Sequence, residues 1–149
     1  MVDNFKNLAA GGKQSVGMLS ECNALTLHYG LSLTEKQMHL LELRQREALT
    51  AAGRVEFGGG AMRAIIEGFC DSPFIDQENY EQTISELLDL FYYFKTESED
   101  RIPDDELIKF MRRHFDTTCQ GSLAYLSGTK LEELCRNTRH GYKTDDKDI

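Results

Sequence analysis

Only two prolines, Pro73 and Pro103, interrupt the 149 residues, and no apolar run approaches the eighteen or so residues of a membrane-spanning helix. The first is unlike a disordered chain; the second argues against a transmembrane protein. The opening "MVDNFKNLAAGGKQS" lacks the basic-then-apolar order of a secretory signal, so the expected location is cytoplasmic. Four cysteines, Cys22, Cys70, Cys119 and Cys135, stand far apart with no CxxC, which suits buried, reduced thiols better than a disulfide framework. His28, His39, His114 and His140 are equally scattered: there is no HExxH and no Cys/His pair at zinc spacing, and helix-end or surface positions are expected for them. The chain also lacks basic excess. Its net charge of −8 excludes the basic face that nucleic-acid binding needs.

What is present is helix-forming, charged and locally very acidic. Between Asp76 and Glu106, eleven acidic residues face only Lys95 and Arg101, a local charge of −9. This is either a solvated face or a surface for a cation or basic partner. The length suits one domain with its own core: a helical domain over 16–140 with flexible ends at 1–15 and 141–149.

Apolar periodicity predicts an all-α fold of about six helices. Met18, Cys22, Leu25 and Tyr29 mark the first, stopped by Gly30. Thr34 and Gln37 form a capping box for a long second helix running to Gly53. "GRVEFGGG" is then a turn in which Val55 and Phe57 act as a hydrophobic pin. Met62, Ile65, Ile66, Phe69 and Cys70 give the third helix, ended before Pro73. Asp76 caps a central fourth helix with Ile84, Leu87, Leu88, Phe91 and Phe94 inward, its apolar face widened by Leu90, Tyr92 and Tyr93. Pro103 and the acids Asp104, Asp105 and Glu106 open the fifth. Leu123–Leu126 is read as one turn, and Thr129 as the start of a last helix through Leu131, Leu134 and Cys135.

A repeat runs through the middle. "LLEL" at Leu40–Leu43 matches "LLDL" at Leu87–Leu90, and Val55 and Ile102 each follow the last leucine by twelve residues. Two helix-loop-helix units, about 33–71 and 76–116, are therefore expected to pack as a pair.

On these residues the chain resembles the EF-hand family, most closely in "FYYFKTESEDRIPDDELIKFMRRHF". The calcium pattern itself is broken. Lys95 stands at the first loop position, where an oxygen ligand is needed, and Asp100 at the sixth, where glycine makes the turn; Glu106 alone is as required at the twelfth. The first loop places Ala48, Thr50, Ala52 and Gly59 at the ligand positions. A scaffold without calcium is the main expectation, with divalent-cation binding through Glu97, Glu99 and Glu106 as an alternative. The phrases "GLSLTEKQM", "GRVEFGGGAMRAIIEGFCDSPFIDQENY", "DLFYYFK" and "CQGSLAYLSG" further resemble a family of small uncharacterised proteins from anaerobic Gram-positive bacteria. That resemblance implies a bacterial cytosolic protein and carries no activity.

Gly58, Gly59 and Gly60 before a helix, with Arg63 on its first turn, could present amides and a guanidinium to an anion, although a structural turn is the better explanation of the glycines. Neither a Rossmann fingerprint nor a P-loop is present, and no nucleophile–base pair stands out, so no cofactor or catalytic residue is assigned. The function expected is that of a non-enzymatic helical module binding a partner protein or itself, with Met38, Met62 and Met111 either in its core or along a groove. A small-molecule or anion-binding subunit is the alternative.

Overall fold

A computed structural model describes residues 17–56 and 60–139. Among the described residues the chain is all-α, with six helical segments and no strand. The expected frayed ends, and Phe57, Gly58, Gly59 and His140, lie outside the described residues.

Helix α1 spans residues 17–26 and tightens into a 3-10 turn, Leu27–Tyr29, closed by Gly30 at φ +78°. The buried face is Met18, Leu19, Cys22 and Thr26, whereas Leu25 and Tyr29 are exposed. The tightened turn changes the helical period and swings Tyr29 outward, which corrects the expected face. Helix α2, Glu35–Ala52, opens on the full Thr34–Gln37 capping box and ends at left-handed Gly53. Helix α3, Gly60–Phe69, buries the five apolar residues that its periodicity marks out, Cys70 included. Asp76 and Asn79 exchange side-chain-to-amide hydrogen bonds one turn before helix α4, Tyr80–Glu97. Helix α5, Asp104–Asp116, follows with its acids on the first turn.

The last helical segment departs from expectation. Instead of a break between Leu126 and Thr129, the chain runs from Leu123–Tyr125 through a π-helical turn, Leu126–Leu131, into Glu132–Arg139; these three pieces together are α6. Ser122 caps its start by accepting from the Tyr125 amide. Leu126 and Leu131 are both fully buried, and anchoring them outweighs the roughly 1 kcal/mol that Gly128 costs inside a helix.

Helix α4 lies at the centre, with α2, α3, α5 and α6 all packed on it, and α3 also packs along α5. The core joins Leu41 of α2, Met62, Ile65 and Phe69 of α3, Leu87 and Phe91 of α4, and Met111 and Phe115 of α5. Met38, Met62 and Met111 are all buried in it, so they line no groove. His114 is buried too, against the Phe110 ring at 4.5 Å and with Nδ1 3.3 Å from the Thr118 hydroxyl, rather than on the surface. Arg112 ties the ends of α3 and α5 together: it donates to the Gly68 carbonyl at 2.6 Å and pairs with Asp71 at 2.6 Å and Asp116 at 2.5 Å.

Candidate functional site

The two loops of the helix-loop-helix units carry the residues singled out for ligand chemistry. In the first loop, after Gly53, Arg54 and Glu56 turn to partners within the chain and Val55 to solvent. Arg54 pairs with Asp100 of the second loop at 2.7 Å, and Glu56 receives the Tyr92 hydroxyl at 2.5 Å. Val55 is consequently 81% exposed and is no pin, whereas Ile102 is fully buried. Two polar anchors have replaced one apolar one.

Glu56 also answers the anion question at the start of α3. Its Oε1 accepts the Ala61 amide at 3.2 Å, so a carboxylate of the chain itself occupies the electropositive end of that helix. Gly60 sits at φ +53°, and a Cβ there would collide with the same oxygen. The left-handed backbone favours glycine at position 60, and a larger residue would also displace the Glu56 carboxylate. Arg63, the other member of the expected anion site, faces Glu67 at 3.3 Å and Glu21 at 3.4 Å. Gly58 and Gly59 lie outside the described residues. Burial, and then the Glu56 carboxylate, raise the Tyr92 pKa above the phenol range, while a hydrogen bond with Gln45 acts against them.

In the second loop Lys95 does what a bound cation would do. The residue is 6% exposed, and its ammonium donates to the Ile102 carbonyl at 2.6 Å and pairs with Asp104 at 2.8 Å. A carbonyl and a carboxylate of the loop thus converge on a charge that is covalently attached. Asp100 adopts φ +59°, the left-handed backbone, matching Gly53 at φ +68° in the first loop. The Arg54 hydrogen bond holds the Asp100 carboxyl below the usual carboxylate range.

The three expected cation ligands are dispersed. Glu97 ends α4 beside Glu132 and Arg136, Glu99 pairs with Arg101 at 3.3 Å, and Glu106 is exposed on the first turn of α5. Among the described residues no group of three or more His, Cys, Asp or Glu is placed to hold a metal ion. The four cysteines are buried and free, and burial raises the thiol pKa of Cys22, Cys70 and Cys119, the opposite of nucleophile activation.

A feature that the sequence reading missed lies on the outer side of α4. Thr83, Glu86, Leu90, Tyr93 and Glu97 recur at three- and four-residue spacing and floor a groove, with Ala48, Ala51 and Ala52 of α2 on one wall and Gly121, Leu123, Ala124 and Ser127 on the other. The open pocket against α2 has a volume of about 460 Å³ and shares Asp89, Leu90 and Ser127 with a neighbouring one of about 500 Å³. Tyr93, read from the sequence as widening the apolar face of α4, is 55% exposed there. The signal was present in the width of the α4 apolar pattern, which exceeds what one buried face can use.

The described residues define an all-α protein in which helix-loop-helix units converge on a central helix. A family model described as "Family of unknown function (DUF6323)" matches residues 18–144, and the chain belongs to that family. No curated protein and no solved structure matches it. No described helix is long and apolar enough to cross a membrane.

Proposed function

We propose that this protein is a non-enzymatic helical interaction module that engages a partner protein through the groove on the outer side of α4. One observation carries this reading: a depression along α4 lined by Leu90 and Tyr93, with the Tyr93 ring 55% exposed. Exposed tyrosines in apolar pockets are favoured anchors of protein interfaces.

In this reading the two units form an EF-hand-like pair. The packing of α2 on α4 and of α3 on α5 supports it, because corresponding elements of two related copies meet each other across a two-fold relation. The left-handed residues Gly53 and Asp100 at equivalent loop positions, and the Arg54–Asp100 pair between the loops, also support it. The family resemblance of the quoted phrases favours a bacterial, cytoplasmic setting. The anion and cation readings find less support, since Glu56 and Lys95 already fill those roles.

The test is a photo-crosslinking amino acid placed at Tyr93 in the full chain, in the cells that make it, with Lys109 on the exposed side of α5 as control. A discrete adduct from position 93, absent from position 109, is expected. Monomer alone from both positions, together with monomeric sizing of the purified protein, would refute the reading.

A further inference from the structure

The shape of the groove says more about its occupant. Its floor is one face of α4, with lining positions from Thr83 to Glu97 spanning roughly 21 Å at 1.5 Å per residue. Residues at this spacing form a ridge that matches the groove of another helix. No described residue forms a sheet edge that could receive an extended peptide. The α2 wall is built of Ala48, Ala51 and Ala52, whose short side chains permit close approach. Across from it, the π-helical turn carries Ser127 into both pockets, and such turns are frequent at functional sites.

Charge selects among helices. Glu86 and Asp89 line the groove and belong to the segment whose net charge is −9. Partial desolvation, with Glu47 and Glu86 close by, raises the Asp89 pKa above its ordinary value, against the opposing effect of Arg44. A further cation placed there would favour the charged carboxylate, and an acidic partner would add to the smaller repulsion from Glu47 and Glu86.

We infer that the α4 groove receives a basic amphipathic helix of about four turns, which seats an apolar side chain over Leu90 and Tyr93 and sets lysine or arginine against Glu86 and Asp89. This rests on the interaction-module reading and adds the chemistry of the partner.

The test uses the full chain and fluorescein-labelled peptides of about fourteen residues. One has leucine and lysine at amphipathic helical spacing, one replaces lysine with glutamate, and one is a lysine–leucine scramble without amphipathic order. Fluorescence anisotropy is read against the native protein and against Tyr93→Ala and the double variant Glu86→Lys/Asp89→Lys, all three positions being solvent-exposed. Circular dichroism checks that each variant is folded. The amphipathic basic peptide is expected to bind about tenfold more tightly than the other two, and each variant to lose about tenfold. Equal binding of the scramble, or indifference to both variants, would mean diffuse attraction to an acidic chain and would overturn the inference. Binding of the glutamate peptide that depends on Tyr93 would overturn the basic partner and keep the module. A concentration-dependent dimer broken by Tyr93→Glu would make the occupant a second copy, with the same division. No binding by any peptide would refute the inference, while the module would still stand or fall on the crosslinking result.

Discussion

Replacing Lys95 by methionine keeps the length and apolar stem of the side chain and removes the ammonium. The Ile102 carbonyl then loses a donor at 2.6 Å inside a fully buried residue, and Asp104 loses a partner at 2.8 Å. A hydrogen bond from a charged donor contributes about 1.5–3 kcal/mol. The Asp104 carboxylate is 57% exposed, so its share is heavily screened and adds at most about 1 kcal/mol. Against this, methionine avoids the cost of burying a charge. A net loss of about 2 kcal/mol follows, which in a domain of this size lowers the melting temperature by about 4–8 °C. Urea denaturation at neutral pH measures the free energy and calorimetry the midpoint. Because the main loss is a buried hydrogen bond, it should persist in 1 M salt, where a surface pair would be screened out. Lys95→Ala should lose more, and 100 mM methylammonium should restore part of that loss where sodium does not. A Lys95→Met protein as stable as the native one, or a loss abolished by salt, would refute the reading of Lys95 as an internal cation.

Gly60→Ala should destabilise by about 2 kcal/mol, since it strains a left-handed residue and displaces Glu56; in Glu56→Ala the added cost should fall by about half, as a double-mutant cycle will measure. Acid unfolding should begin as pH falls below about 4, because Arg112 lowers the Asp71 pKa and Arg54 that of Asp100, so their stabilisation is complete above the ordinary carboxylate pKa and lost below it. Arg112→Met should flatten that acid limb, read by fluorescence against pH. At the alkaline end Tyr80, pushed up to about 12 by burial, and Tyr92, raised likewise, should remain protonated at pH 11 in absorbance at 295 nm. Their stabilising contribution is present below the ordinary phenol pKa near 10 and is lost as pH rises through the folded value, so Tyr80→Phe should shift the alkaline unfolding limb upward. Calcium at millimolar concentration should leave the native melting temperature unchanged, and a rise of several degrees that vanishes in Glu106→Gln would revive the cation alternative.

The helices were legible because their signals are local. The Thr34–Gln37 box, Gly30 and Gly53 as stops, and the buried stripes of α3 and α5 all follow from spacing within one turn or two. The misses are tertiary. Nothing near Glu56 in the chain announces that Tyr92, 36 residues away, will draw it inward and leave Val55 in solvent. Lys95 was legible as an obstacle to calcium, yet its bond to Ile102 depends on how the loop closes. Ser127 and Gly128 read as a helix break because propensity is local, whereas the π-helical turn is stabilised by burying Leu126 and Leu131 on either side. The groove was legible only as an over-wide apolar pattern on α4: Ala48 and Leu90 become its wall and floor only once α2 lies on α4.

The two internal ions also bear on which ligands can compete. An external phosphate at the start of α3 must displace a carboxylate tethered a few residues away, and a divalent ion in the second loop must displace a tethered ammonium. Tethering gives each resident group an effective concentration of millimolar or more, and a free ion pays the loss of translational freedom that the side chain has already paid during folding. Small ions therefore enter both loops at a disadvantage. At Tyr93 and Leu90 the balance is reversed: the described residues leave apolar surface in water, and a partner that covers it gains about 25 cal/mol per Å² of that surface without first evicting a charged group. Among the described loop residues, Arg54, Glu56 and Lys95 find their polar partners within the chain. Under the interaction-module proposal, peptides should be tried against the α4 groove before metabolites are tried against the loops.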